Sequence, residues 1–101
     1  QSIGILVISI HIPLYKKVTY TSKTYDVSSG GVLEFTTTLK TINGYSAVGV
    51  IETTTNHDWS FCLTRATINS NNTMTTTWMN LNQNTWKGAY GTAIVLYIKT
   101  L

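Results

Sequence analysis

From Val32 to the C-terminus, one property of the chain repeats at every second residue, and a period of two belongs to strands, since a helix repeats every 3.6 residues. Tyr45, Ala47, Gly49 and Ile51 alternate with Ser46, Val48, Val50 and Glu52. Met74, Thr76, Trp78 and Asn80 alternate with Thr75, Thr77, Met79 and Leu81. Between Tyr90 and Lys99, Gly91, Ala93, Val95 and Tyr97 form a small and apolar set opposite Thr92, Ile94, Leu96 and Ile98. Threonine and β-branched residues dominate, and no stretch of Ala, Leu, Glu and Lys supports a helix. The chain is therefore expected to be all-β.

Turn residues divide these runs. Ser28-Ser29-Gly30-Gly31, Ile42-Asn43-Gly44, Asn69-Ser70-Asn71-Asn72 and Asn82-Gln83-Asn84 are turn or loop signals. They bound expected strands at Val18–Val27, Val32–Lys40, Tyr45–Glu52, Trp59–Ile68, Thr73–Leu81 and Tyr90–Lys99. An earlier run puts Leu6, Ile8, Ile10 and Ile12 on one face, and Ile5, Val7, Ser9 and His11 on the other. In the Trp59–Ile68 strand, Trp59, Phe61, Leu63 and Arg65 are expected to share a face. Some seven short strands at this spacing predict a sandwich or a closed barrel. With 101 residues and 11.2 kDa, residues 1–101 are one domain with one core and little interior left for a deep enzyme pocket.

The formal net charge of +3 comes from cations scattered along the chain, with one adjacent pair at Lys16 and Lys17. That is no nucleic-acid stripe. A single Cys62 has no intramolecular disulfide partner and no zinc motif, which points to synthesis in a reducing cytosol. The apolar run from Ile3 to Leu14 lacks a basic leader, carries Ser9 and His11 and is broken by Pro13. At about half the length of a spanning helix it predicts no membrane insertion. A chain opening at Gln1 is expected to be a fragment of a longer parent. Apolar residues on both faces of several strands exceed what one small barrel buries, so a closed homo-oligomer is expected.

The sharpest local feature is TTTNHDWSF, from Thr53 to Phe61. In a chain with four acidic residues, two histidines and three tryptophans, it sets His57, Asp58 and Trp59 side by side. An exposed indole covers the apolar face of a pyranose, and a carboxylate or guanidinium engages its vicinal hydroxyls with paired hydrogen bonds. Arg65 stands six residues beyond Trp59 on the same expected strand face, and Trp78, Asn80, Trp86 and Lys87 flank the Asn82–Asn84 loop as a candidate second wall. Each has an ordinary reading as well. Trp59 and Trp78 fit core packing, Asp58 fits an Asx turn, and Trp86, outside any clean alternation, is expected to be exposed. His11 is read as a hydrogen-bonded core or interface residue, and Cys62 as a small buried hydrophobe.

The order INGYSAVGVIE, polar loop, alternating strands and terminal GTAIVLYIKTL resembles the C-terminal head domains of receptor-binding proteins on the tails of lactic-acid-bacterium phages, the lactococcal type above all. The resemblance lies in Gly44–Val50 and Ile94–Lys99. It covers about the last 60 residues well and the first 40 only in strand rhythm. It implies a Greek-key β-barrel head, assembled as a homotrimer at the virion tail tip. The head would join other tail and baseplate proteins through a missing N-terminal part, and would bind host cell-wall polysaccharide without catalysis, metal or cofactor. Such heads hold saccharide with Trp, His, Asp and Arg side chains near a protomer boundary. Where the wall polymer carries phosphate, Arg65, His57 and Lys87 would be its charge-assisted donors.

Three other readings stay open on the residues. One is a structural virion domain whose surface mediates only trimer assembly, and another is a lectin-like adhesin unrelated to phage. The third is a glycosidase using Glu52 and Asp58, disfavoured because Asp26, Glu34, Glu52 and Asp58 are few and scattered and no hydrolase motif is present.

Overall fold

The computed structural model describes residues 12–100, and among them the chain is all-β and antiparallel. The strands are β1 (Tyr15–Thr21), β2 (Tyr25–Val27), β3 (Val32–Thr38), β4 (Tyr45–Thr55), β5 (Phe61–Ile68), β6 (Thr73–Asn80), β7 (Trp86–Ala89) and β8 (Gly91–Lys99). They pair as three ladders, β1-β8-β4, β2-β7 and β3-β6-β5. The expected first strand, with His11, lies outside the described residues apart from Ile12, which is exposed.

The alternation in β6 and β8 decides which faces turn inward. Ala93, Val95 and Tyr97 of β8 meet Met74 of β6 and Leu39 in one buried cluster, so the two three-stranded sheets face one another there. Further along β6, Trp78 packs with Phe61 of β5, Val27 of β2 and Ala89 of β7 in a second cluster. The short β2-β7 ladder thus covers the end of the β3-β6-β5 sheet that β1-β8-β4 leaves open.

Gly91 marks the passage from one ladder to the other. A Cβ built on it would lie 2.6 Å from the Trp78 indole, so only glycine lets that ring lie against the backbone. Gly44, at φ +83°, makes the turn into β4 in a conformation that other residues adopt rarely.

A chain of hydroxyls closes the core. The Tyr97 hydroxyl donates to the Lys40 carbonyl at 2.8 Å, and the Lys40 amide donates to the Tyr20 hydroxyl at 2.8 Å. The 2.5 Å contact between the two phenols must then be donated by Tyr20, because Tyr97 has already used its proton. Burial, and after it the Tyr20 hydroxyl, pushes the Tyr97 phenol well above its ordinary range.

Several boundaries differ from expectation for local reasons. Val18–Val27 divides into β1 and β2, and β7 was not foreseen, because four residues containing Gly88 at φ +61° carry no readable period. β5 begins at Phe61, which puts Trp59 in the preceding loop. A bulge between Leu63 and Arg65 shifts the β5 register against β6, so Arg65 does not share the face of Phe61 and Leu63 as the plain alternation predicts.

Candidate functional site

The loop from Asn56 to Ser60 joins β4 to β5, and side-chain hydrogen bonds define its path. Asn56 is a clamp. Its Nδ2 donates to the Gly88 carbonyl at 2.8 Å, its Oδ1 accepts from the Tyr90 amide at 2.9 Å, and its own amide donates to the Tyr90 carbonyl at 3.3 Å. The β4 end is thereby tied to the β7–β8 junction. Thr55 Oγ1 donates to the His57 carbonyl at 3.0 Å and starts the turn.

Asp58 then forms an Asx turn. Its Oδ1 accepts from the Ser60 hydroxyl at 2.5 Å and from the Ser60 amide at 2.9 Å, while the Phe61 amide donates to the Asp58 carbonyl at 3.1 Å. The Ser60 hydroxyl, then the Ser60 amide and then the nearby His57 hold the Asp58 carboxyl below its ordinary value of 3.8, against a smaller opposing effect of desolvation. One carboxylate oxygen is committed to this turn. Oδ2 has no recorded partner among the described residues.

At the apex the Trp59 indole is 82% exposed, the most exposed large hydrophobic side chain among the described residues. Beside it, Thr53, Thr54, Thr55, His57, Asp58, Trp59, Phe61, Cys62 and Leu63 line a concavity of about 310 Å³. Thr53, Thr54 and Thr55 form its wall, half-buried Cys62 and Leu63 give it an apolar side, and Asp58 and Trp59 form its rim.

His57 sits below the rim. Its ring stacks on Trp86 with centroids 4.2 Å apart and planes 20° from parallel, and meets the Phe61 ring edge-on at 6.3 Å. His57 Nε2 and Trp86 Nε1 are buried without hydrogen-bond partners, each a cost of about 1–3 kcal/mol that the stacking must offset. Trp86, expected to be exposed, is half-buried and supports the loop from beneath.

The other candidates separate from this loop. Trp78 is 1% exposed, and its Nε1 donates to Thr76 Oγ1 at 2.9 Å, so it is a core residue and no sugar can reach its face. Asn80 is 0% exposed. Its Nδ2 donates to the carbonyls of Val27 and Asn84 at 2.9 Å each, and its Oδ1 accepts from the Asn82 amide at 2.8 Å. Both are thereby corrected from candidate ligands to framework. Arg65 lies on the outer face of β3-β6-β5, in a cross-strand row with Thr77 and Glu34, and lines a different concavity of about 210 Å³. Lys87 is exposed on β7 next to Trp86 and does not line the loop concavity. Glu52 does not line it either, so it does not meet Asp58 there.

The loop therefore unites His57, Asp58 and Trp59, with Trp86 as their support. Sequence reasoning missed Asn56, Thr53–Thr55, Cys62 and Leu63. The threonine run and asparagine directly before His57 were the available signal, since Asn and Thr at a strand end fix loops through their side chains. Among the described residues, no three His, Cys, Asp or Glu side chains gather in a way that could hold a metal ion. Compared with known proteins, the chain matches no family model, no curated protein and no solved structure, so the geometry of this loop carries the functional reading.

Proposed function

We propose that the chain is a non-catalytic receptor-binding head of the phage-tail type, which adheres to host cell-wall saccharide through the β4–β5 loop. The observation that carries this reading is the pairing at the rim. A nearly fully exposed indole stands next to a carboxylate held in its charged form, above a concavity walled by threonines. The indole supplies a stacking platform for the C–H face of a pyranose, the Asp58 carboxylate accepts from sugar hydroxyls, and Thr53 adds a hydroxyl, those of Thr54 and Thr55 being engaged with Thr92 and His57.

A Greek-key, barrel-like head fits this reading. Among the described residues the first and last strands pair, as β1 and β8, and the chain changes sheet between β3 and β4, between β4 and β5, and between β6 and β8. Such a head acts as a homotrimer at the virion tail tip, joined there to other tail and baseplate proteins. A shallow site binds weakly, on the order of micromolar to millimolar, and three sites on a repetitive polymer raise avidity by a factor of about a hundred or more.

Calorimetric titration with oligosaccharides prepared from host cell walls tests the site. Saturable binding that Trp59→Ala abolishes supports it. Saturable binding unaffected by both Trp59→Ala and Asp58→Ala would sink it. The structural-domain reading, in which the surface serves assembly alone, is favoured by one observation, the apolar outer face of β1-β8-β4. A chain that assembles and binds no wall oligosaccharide would establish that reading instead.

A further inference from the structure

The outer face of the β1-β8-β4 sheet carries Thr19, Thr21, Thr54 and Thr92 toward one end, but toward Ile98 it is apolar where a solvated face is ordinarily polar. Direct partners in an antiparallel ladder project to the same side. Tyr15 opposes Ile98, Lys17 opposes Leu96 and Glu52 opposes Ile94, so these side chains share a face, and it is the one turned away from the buried Ala93, Val95 and Tyr97. At its β1 side, Leu14 (75% exposed) and Tyr15 (56% exposed), with Lys17, Leu96 and Ile98, line a concavity of about 430 Å³. At its other edge, two irregularities in the β4 register leave Val48 and Ile51 without partners on β8, 53% and 48% exposed. Contiguous apolar surface of this kind marks an interaction site.

We propose that a second copy of this chain covers this face, with the β4 projections of one copy seated in the β1 hollow of the next. The two edges are unlike and complementary. β4 offers apolar Val48 and Ile51 beside the Glu52 carboxylate, and β1 offers an apolar hollow beside the Lys17 ammonium. Each copy therefore carries one projection and one hollow, one acid and one base, on opposite edges of a single sheet. Contact between unlike edges is heterologous, and it closes into a ring when the rotation allows. The inference rests on the oligomeric part of the function proposed above and on nothing in its saccharide part.

Light scattering on the chain should give three times the 11.2 kDa protomer mass. Lys17→Glu alone and Glu52→Lys alone should each give monomers, and the two together should restore the assembly, because the acid and base have only exchanged edges. Ile51→Asp loses the projection and Ile98→Asp loses the hollow. Each should be monomeric alone, yet a mixture should form a two-chain species through the one intact projection and the one intact hollow. These side chains are exposed, and circular dichroism checks that each variant is folded. A wild-type monomer at about 50 μM, well above the dissociation constants of stable assemblies, or an assembly whose mass survives both Lys17→Glu and Ile98→Asp, overturns the proposal. Titrating monomeric Lys17→Glu with wall oligosaccharide keeps the two readings apart, since the affinity of one site should be unchanged.

Discussion

His57 and Trp86 lie ring against ring, 4.2 Å between centroids, and this stack joins the loop that bears Trp59 to β7. Trp86→Phe should keep the stack and bind oligosaccharide within about twofold of wild type. Trp86→Ala should leave His57 unsupported, cost about 3 kcal/mol in urea unfolding and weaken binding at least tenfold without touching the ligand. Equal binding by the Ala and Phe variants would separate the stack from the site.

Trp59→Ala should be close to neutral for stability, within about 0.5 kcal/mol, because its indole is largely in water. It should also remove detectable saccharide binding in calorimetry. A large drop in melting temperature would mean that the indole packs in solution.

Asp58 has a depressed folded pKa, so the stability it contributes is present above 3.8 and is lost as pH falls through the folded value. Carbon NMR titration should find its carboxyl midpoint below 3.8, and Ser60→Ala, which removes the largest cause, should move it upward. A midpoint unchanged in Ser60→Ala would show that the hydroxyl bond does not form.

Tyr97 gives the opposite sign. Its folded pKa is raised, so its contribution is complete below about pH 10, the ordinary tyrosine value, and is lost as the pH rises beyond that. Wild-type protein should lose stability above that pH more steeply than Tyr97→Phe, measured by urea unfolding at pH 8 and at about pH 11. Parallel losses in the two proteins would exclude Tyr97 as the cause.

At the core, Trp78→Ala should cost about 3–5 kcal/mol, and Gly91→Ala should be strongly destabilising because the new methyl group overlaps the indole. A Gly91→Ala protein that melts like wild type would show that the indole moves aside at little cost.

The strands most legible in the sequence were β6 and β8, where buried and half-buried residues alternate throughout β6 and as far as Tyr97 in β8. Period two cannot say which face is inside when both carry large side chains. Trp59 and Trp78 each fell in an alternating run, yet one is in solvent and the other in the core, because Trp59 lies in the loop before β5 while Trp78 lies within β6, against Gly91 and the β2-β7 ladder. The Asx turn was readable from an aspartate two residues before a serine. Arg65 was misassigned because a bulge leaves no mark on a pattern that counts every second residue. What Asn56 would clamp was not readable, for a further reason. Its partners, Gly88 and Tyr90, are more than thirty residues away, and only the folded chain brings them together.

That clamp has a consequence for how a ligand is met. Three hydrogen bonds from Asn56 bind the β4 end to the β7–β8 junction, and the Ser60 carbonyl accepts from the Leu81 amide at 2.6 Å on the far side of the turn. Anchored at both ends, the loop has no hinge about which to swing, and opening it would require the strand junction to unravel as well. The amides of Ser60, Phe61 and Tyr90 should then exchange with deuterium as one cooperative unit, far more slowly than the exposure of Trp59 suggests. A sugar arriving at the rim meets a surface already in its bound shape, so little loop entropy is lost on association and a weak site can still capture rapidly.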